Sequence, residues 1–410
     1  MNSKATLPLY LTATATSLFG NAAIAIVLPW LVLERTGNPA LAATVAAVSA
    51  LPAAISAFVG GHLIDKVGRR RMSVLADLGS AASVAGLAIV DAAVGLDAFW
   101  FIALGILGAL FDVPGMTARE TLLANVSETS GVTLDRIAAL RGMIFGLSFL
   151  AGPALAGWLL TMLDSVDVIW ITAGCSLAAA VLIGLMPLVP SALAPSEDTS
   201  VLAGFTLVFG TPALKAMLII SLASMVVVGP LLAIILPAHF TALASPGQLG
   251  LTLSAYAVGS MVGSGLYGLL FGNRRWAAWV VSNLLYAVGG VLVATLDGFW
   301  LVAVGMTVAG IASGLMQPLT TVVMTERIPD ALRGRVFGAY SAASMMANPV
   351  GLGLMALILS AGTLQTGAWA MALGWAIVSA YAIVAPSLRG YVEAAPEPEK
   401  EPDADHQTAG

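Results

Sequence analysis

The chain has 410 residues, 59% of them hydrophobic and only 10% charged, where soluble domains carry about 25% charged residues; no soluble fold hides that much apolar surface. Its one cysteine, Cys175, excludes a disulfide framework and a cysteine-built metal site. The net charge of −5 says little about partners, because the stretch from Glu393 to Asp405 supplies six of the 22 acidic residues.

In chain order, twelve apolar stretches are separated by short polar or Gly/Pro-bearing turns. They lie approximately at 8–34, 39–64, 72–94, 97–122, 136–161, 167–189, 213–242, 247–271, 276–296, 298–325, 335–360 and 366–386. Each is long enough to cross a hydrocarbon core of roughly 30 Å. The first has no small-residue cleavage site after it and is expected to be a retained helix, not a secretory signal. Lys and Arg near helix ends stay in the cytoplasm during insertion. With both termini inside, the external loops hold only Arg35 of the 17 basic residues. The expectation is an all-α, multi-pass protein of a bacterial inner (cytoplasmic) membrane, bathed in lipid.

The longest connection, 190–212, begins at Pro190 and divides residues 1–189 from 213–386, with a disordered acidic tail at 387–410. The two halves echo each other. Asp97-Ala98-Phe99-Trp100 returns as Asp297-Gly298-Phe299-Trp300, offset by 200; Ala139-Leu140-Arg141-Gly142 returns as Ala331-Leu332-Arg333-Gly334, offset by 192; and Gly61, Gly68, Arg70 and Arg71 return as Gly265, Gly272, Arg274 and Arg275, offset by 204. Such parallel repeats are the footprint of a transporter built from two six-helix bundles related by a pseudo-two-fold axis.

The segment from Gly60 to Arg71, GGHLIDKVGRRR, joins the second and third helices. Gly61 lets the second helix pack closely, Gly68 permits a tight reversal, and Asp65 can face the N-terminus of a helix entering from the cytoplasm. Glycine, Asp and Gly-Arg-Arg at this spacing resemble the loop signature of the major facilitator superfamily. The resemblance implies two six-helix bundles around a central cavity and an inner gate closed by Gly61, Asp65, Gly68, Arg69 and Arg70; the alternative is a positive topology anchor alone. The second copy has Leu269 where the first has Asp65.

In the fifth helix, Gly152, Pro153 and Gly157 resemble, incompletely, the Gly-Pro signature of that superfamily's proton antiporters, with Ser148 and Ala156 in place of two glycines. A kinked helix without bearing on transport direction is the competing reading. The fourth helix carries Asp112, which costs roughly 2.5–3.5 kcal/mol at bilayer depth on insertion scales. It is read either as a protonatable or cation-attracting group or as the cap of a helical segment beginning at Pro114. Phe111, Asp112, Pro114 and Arg119 also resemble a segment of the macrolide-efflux and siderophore-export branch. Asp77 is expected to pair with Arg70 or Arg71 by snorkelling. Asn21, Phe145, Tyr256 and Gln317 are candidates for the substrate cavity, with interhelical bonding or packing as the plain alternative; His62 and His239 are read as incidental.

These residues point to a monomeric secondary transporter that exports amphipathic small molecules (multidrug efflux) by proton-coupled antiport. A siderophore or metabolite exporter is the second reading and an uptake symporter the third. A membrane-embedded enzyme would need convergent catalytic groups that the helices do not offer. No cofactor, metal or nucleic-acid partner is expected.

Overall fold

The computed structural model describes residues 5–188, 208–271, 274–328 and 330–393; the side chains of some helical residues, Asp65 among them, lie outside the description. In the described residues the chain forms twelve long helices: α1 Thr6–Thr36, α2 Pro39–Val67, α3 Arg69–Ala93, α4 Ala98–Ser130, α5 Leu134–Met162, α6 Ser165–Leu185, α7 Pro212–Ala242, α8 Pro246–Phe271, α9 Arg275–Ala294, α10 Gly298–Arg327, α11 Asp330–Ala361 and α12 Leu364–Val384. Each coincides with one of the twelve apolar stretches. Ten are long and apolar enough to cross a membrane, and α2 and α11 carry shorter apolar runs at Pro39–Ala53 and Met346–Ala361. Residues 387–392, expected to belong to a disordered tail, are helical instead, and 394–410 lie outside the described residues. Pro386–Val392 forms a further short helix, α13, with Leu388 and Val392 fully buried, because these two apolar residues one turn apart find a home against α7 and α9.

Local chemistry explains the boundaries. Asn38 accepts from the amides of Ala40 and Leu41 ahead of Pro39, a helix-opening pair. Asp97 accepts from the Trp100 amide at the head of α4. Between α2 and α3 the chain reverses on Gly68, whose φ of 91° is open to glycine at little cost. Turns of π-helix at Leu231–Ile235 in α7 and Tyr267–Phe271 in α8 widen the backbone locally.

The contacts repeat with the halves. α1 packs on α5 and α6, α3 on α4 and α6, and α2 on α4; six helices later, α7 packs on α11 and α12, α9 on α10 and α12, and α8 on α10. The bundles meet through α5 with α8 and α2 with α11, pairs that the same exchange converts into one another. These are the two six-helix bundles that the internal repeat implies.

Among the described residues, the buried core common to both bundles lies at one end. A core that mixes both halves gathers Ile26 and Trp30 of α1, Ala43 of α2, Ala156 of α5, Phe240 of α7 and Leu249 of α8, all near the end that carries the α1–α2 turn. At the end that carries the chain termini the cores are separate: one holds Tyr10, Leu122 and Ile183 of the first half, another Met217, Leu319 and Leu388 of the second. Among the described residues, the buried core is therefore shared between the bundles at one end and divided between them at the other.

Candidate functional site between the bundles

The helices meet tightly where small residues allow it. A Cβ added to Gly157 on α5 would lie 3.0 Å from the Gly250 Cα on α8, and one added to Gly250 would lie 3.1 Å from the Ala154 Cα. Ser254 adds a hydrogen bond to the Leu150 carbonyl at 2.7 Å. Just past this crossing lies a chamber of about 220 Å3, walled by Ala22 and Ile26 of α1, Phe149 and Pro153 of α5, Leu232 of α7 and Tyr256 of α8. Its wall is almost wholly apolar, which suits the greasy part of an amphipathic molecule.

On the first-half side a polar cleft brings together Ser17 and Asn21 of α1, Asp77 of α3, and Asp112 and Arg119 of α4. Helices α3 and α4 come close because Gly115 presents no side chain; a Cβ there would lie 2.6 Å from the Ala76 Cβ. Arg119 donates to both oxygens of Asp77, at 2.6 and 2.5 Å, with both side chains about 7% exposed. The Ser17 hydroxyl donates to the same carboxylate at 3.2 Å. Asp77 thus pairs with Arg119 and not with Arg70 or Arg71 as the sequence suggested. The guanidinium of Arg70 is engaged elsewhere, donating to the carbonyls of Ile183 (3.1 Å) and Gly184 at the C-terminus of α6. Arg69 donates to the Asn125 side chain at 3.1 Å. Both arginines tie the α2–α3 reversal to its own bundle.

Asp112 has no hydrogen-bonding or ion-pair partner among the described residues. Helix α4 runs unbroken through Pro114, so Asp112 is not a helix cap. The other candidates divide. Tyr256 is in the chamber wall and Asn21 in the cleft, whereas Gln317 lines a separate recess of the second half. Phe145 is exposed and outside the chamber wall; Phe149, one turn on, takes that place. Gly152 and Pro153 lie where α5 faces α1 and α8. Gly61 and Asp65 fall where side-chain surroundings are outside the described residues. The Asp77–Arg119 pair was missed, although the seven-residue spacing of Asp112 and Arg119 puts both on one face of α4.

Comparison with known proteins agrees with this geometry. The Major Facilitator Superfamily family matches in two successive stretches, residues 10–243 and 216–409. The chain belongs to that superfamily. Among its relatives within the superfamily, the chain is 31% identical over 393 residues to the multidrug efflux pump Tap of Mycolicibacterium fortuitum, covering 93% of this chain and 96% of the relative. It is 24% identical over 390 residues to macrolide efflux protein A of Streptococcus pyogenes, covering 91% and 93%. In fold it is similar to the nucleoside transporter NupG (TM-score 0.72, 14% identity, 95% and 98% covered) and to a D-xylose-proton symporter (TM-score 0.70, 15% identity, 94% and 98% covered). The superfamily fold is that of transporters, and the chain is a multi-pass membrane transporter.

Proposed function

We propose that this protein is a multidrug efflux transporter that moves amphipathic small molecules out of a bacterial cell by alternating access. The observation that carries the reading is the apolar chamber at the junction of the bundles, with Asp112, unpartnered among the described residues, in a cleft whose Asn21 adjoins the chamber's Ala22 on α1; full-length similarity to named drug pumps supports the direction. Asp112 serves as the proton or cation site. The residues from Gly61 to Arg70 serve as the inner gate, and Gly152, Pro153 and Gly157 as the helix that seals the outer side. With both termini in the cytoplasm of a monomer in the inner membrane, the end at which the described cores are separate faces the cytoplasm, the side from which cargo is taken up. One half is residues 1–189 and the other 213–386, with 190–212 as the linker.

Inward movement of one proton down 100 mV supplies about 2.3 kcal/mol, enough to hold a cargo gradient of roughly 40-fold at about 1.4 kcal/mol per tenfold. The test is dye accumulation in inverted vesicles. Vesicles containing the protein should accumulate lipophilic cationic dyes when energised and release them on addition of an uncoupler. Accumulation equal to that of empty vesicles across a broad dye panel would reject the export reading; uncoupler-insensitive accumulation would reject proton drive.

A further inference from the structure

The pseudo-two-fold axis relates the charged cleft to a larger space in the second half. The cleft is built on α1, α3 and α4, and a recess of about 370 Å3 is built on their counterparts α7, α9 and α10 together with α11 and α12. The repeat has kept the position and changed the chemistry. At offsets of 204 and 200, Asp77, Asp112 and Arg119 correspond to Val281, Ala312 and Leu319. Of Asp, Glu, Lys and Arg there is none between Lys215 and Arg274, between Arg275 and Asp297, between Asp297 and Glu326, or between Arg335 and Arg389. Among the described residues, no charged side chain lines the recess.

What lines it instead is aromatic and neutral-polar. Trp279, Tyr286, Tyr340 and Trp375 supply ring faces, with Tyr286 stacked on Trp375 at 5.5 Å between centroids and 28° between planes. Some polar atoms are already used: Trp279 Nε1 donates to the Ala382 carbonyl at 2.8 Å, and the Tyr340 hydroxyl to the Met217 carbonyl at 3.0 Å. Others remain free. Asn283 uses one N–H on the Trp279 carbonyl at 2.8 Å, leaving its other N–H and its Oδ1. The Gln317 side chain, exposed halfway along an apolar helix, has no partner among the described residues. The Trp375 Nε1 is buried without an acceptor. A buried N–H left unpaired is costly, and a ligand oxygen repays that cost.

We propose that this recess is a second binding subsite, one that takes an uncharged hydroxyl-bearing ring, such as a glycosyl group carried on an amphipathic cargo. Ring faces pack against the C–H face of such a ring, and the free amides and the indole N–H meet its hydroxyls. A cation also stacks on aromatic faces, but here it would give up water with no carboxylate to receive it, while the cleft across the axis offers Asp112. The volume falls in the range of small-molecule sites. The recess also adjoins the chamber: Tyr256, in the chamber wall, and Tyr286, in the recess, lie near enough to each other and to Ser313 to interact electrostatically. A cargo spanning both would put its greasy body in the chamber and its neutral ring in the recess. The use of the subsite for export rests on the efflux reading, whereas its chemistry is testable by binding alone.

The test is calorimetric titration of the full chain in lipid nanodiscs with two probes, the uncharged 4-nitrophenyl β-glucopyranoside and the cation tetraphenylphosphonium. Gln317→Leu and Trp375→Phe should each weaken glycoside binding about tenfold, one good hydrogen bond's worth, and change tetraphenylphosphonium affinity less than about twofold. Asp112→Asn should give the opposite pattern. Retained cation binding shows that a variant is folded. The proposal is overturned if wild-type protein does not bind the glycoside, if both recess variants bind it as wild type does, or if they weaken both probes alike. Glycoside binding that follows the recess variants in a protein exporting no dye from vesicles would sink the efflux reading and leave the subsite standing.

Discussion

Arg119 on α4 donates from one nitrogen, Nη2, to both carboxylate oxygens of Asp77 on α3, an ion pair sealed at about 7% exposure inside the first bundle. Breaking such a pair from one side leaves a buried charge alone, at a cost of about 3–5 kcal/mol, whereas replacing both partners with uncharged groups is often close to neutral. Asp77→Asn and Arg119→Met should each lower the thermal stability of the purified protein in detergent sharply, and the double variant should recover most of the loss. A double variant as unstable as the sum of the singles would mean that the two groups do not act as a pair.

Asp112 lies in the same cleft without a partner among the described residues. Replacement by Asn keeps shape and polarity while removing the proton-binding group. Its charged neighbours there, Asp77 and Arg119, are bonded to each other, so neither substitutes for it. Asp112→Asn should flatten the pH dependence of dye efflux and weaken cationic dyes at least about tenfold more than neutral ones. Efflux with unaltered pH dependence and cation affinity would move proton coupling to another group.

The α5–α8 crossing makes a different prediction. At Gly250 even one methyl group meets the backbone of Pro153 and Ala154, and overpacking of this kind costs about 1–3 kcal/mol. Gly250→Val and Gly157→Val should force the outer ends apart and shift the conformational balance roughly tenfold. A cysteine at Thr161, placed in a Cys175→Ser background, should then react faster with an impermeant maleimide from outside. Unchanged labelling would show that the crossing is not the outer seal.

The α2–α3 reversal carries an acidic residue only in its first copy; the second keeps Arg274 and Arg275. At the corresponding place Leu269 of α8 is 82% exposed. Asp65→Asn should cut transport several-fold at matched expression, and Leu269→Asn should leave it near wild type. Equal transport by wild type and Asp65→Asn would reduce that segment to an anchor of topology. Its sidedness is measurable as well: cysteines at Arg274 should label from the cytoplasm and those at Asp164 from outside.

The fold was legible because a bilayer turns composition into geometry. Apolar runs such as 276–296 and 366–386 have few alternatives to a spanning helix, and the echo of Asp97–Trp100 in Asp297–Trp300 announces two related bundles. The site was less legible. Asp112 stood out as a charge at depth, but its neighbour Asp77 was assigned to the arginines nearest in sequence, when the partner is Arg119 on the next helix. Which helices touch, and at which depth, depends on glycines such as Gly115 whose contacts lie far along the chain. The recess gave less warning: of its polar lining only Gln317 stood out in the sequence, while Asn283 and Trp375 come from two other helices and carry no insertion penalty large enough to draw notice.

The confinement of depth charges to one bundle has an electrical consequence. A membrane potential does work only on charge that moves through its field, about 2.3 kcal/mol per elementary charge for a full crossing at 100 mV. The second bundle holds no such charge along its spans, and in the first the Asp77–Arg119 pair presents the field with a dipole and no net charge. On the proposed alternating-access reading, whatever grip the potential has on the movement of the bundles is exerted through the first bundle, and with Asp112 as the proposed proton site it switches on or off with that proton. The second bundle rides along as an electrically silent partner.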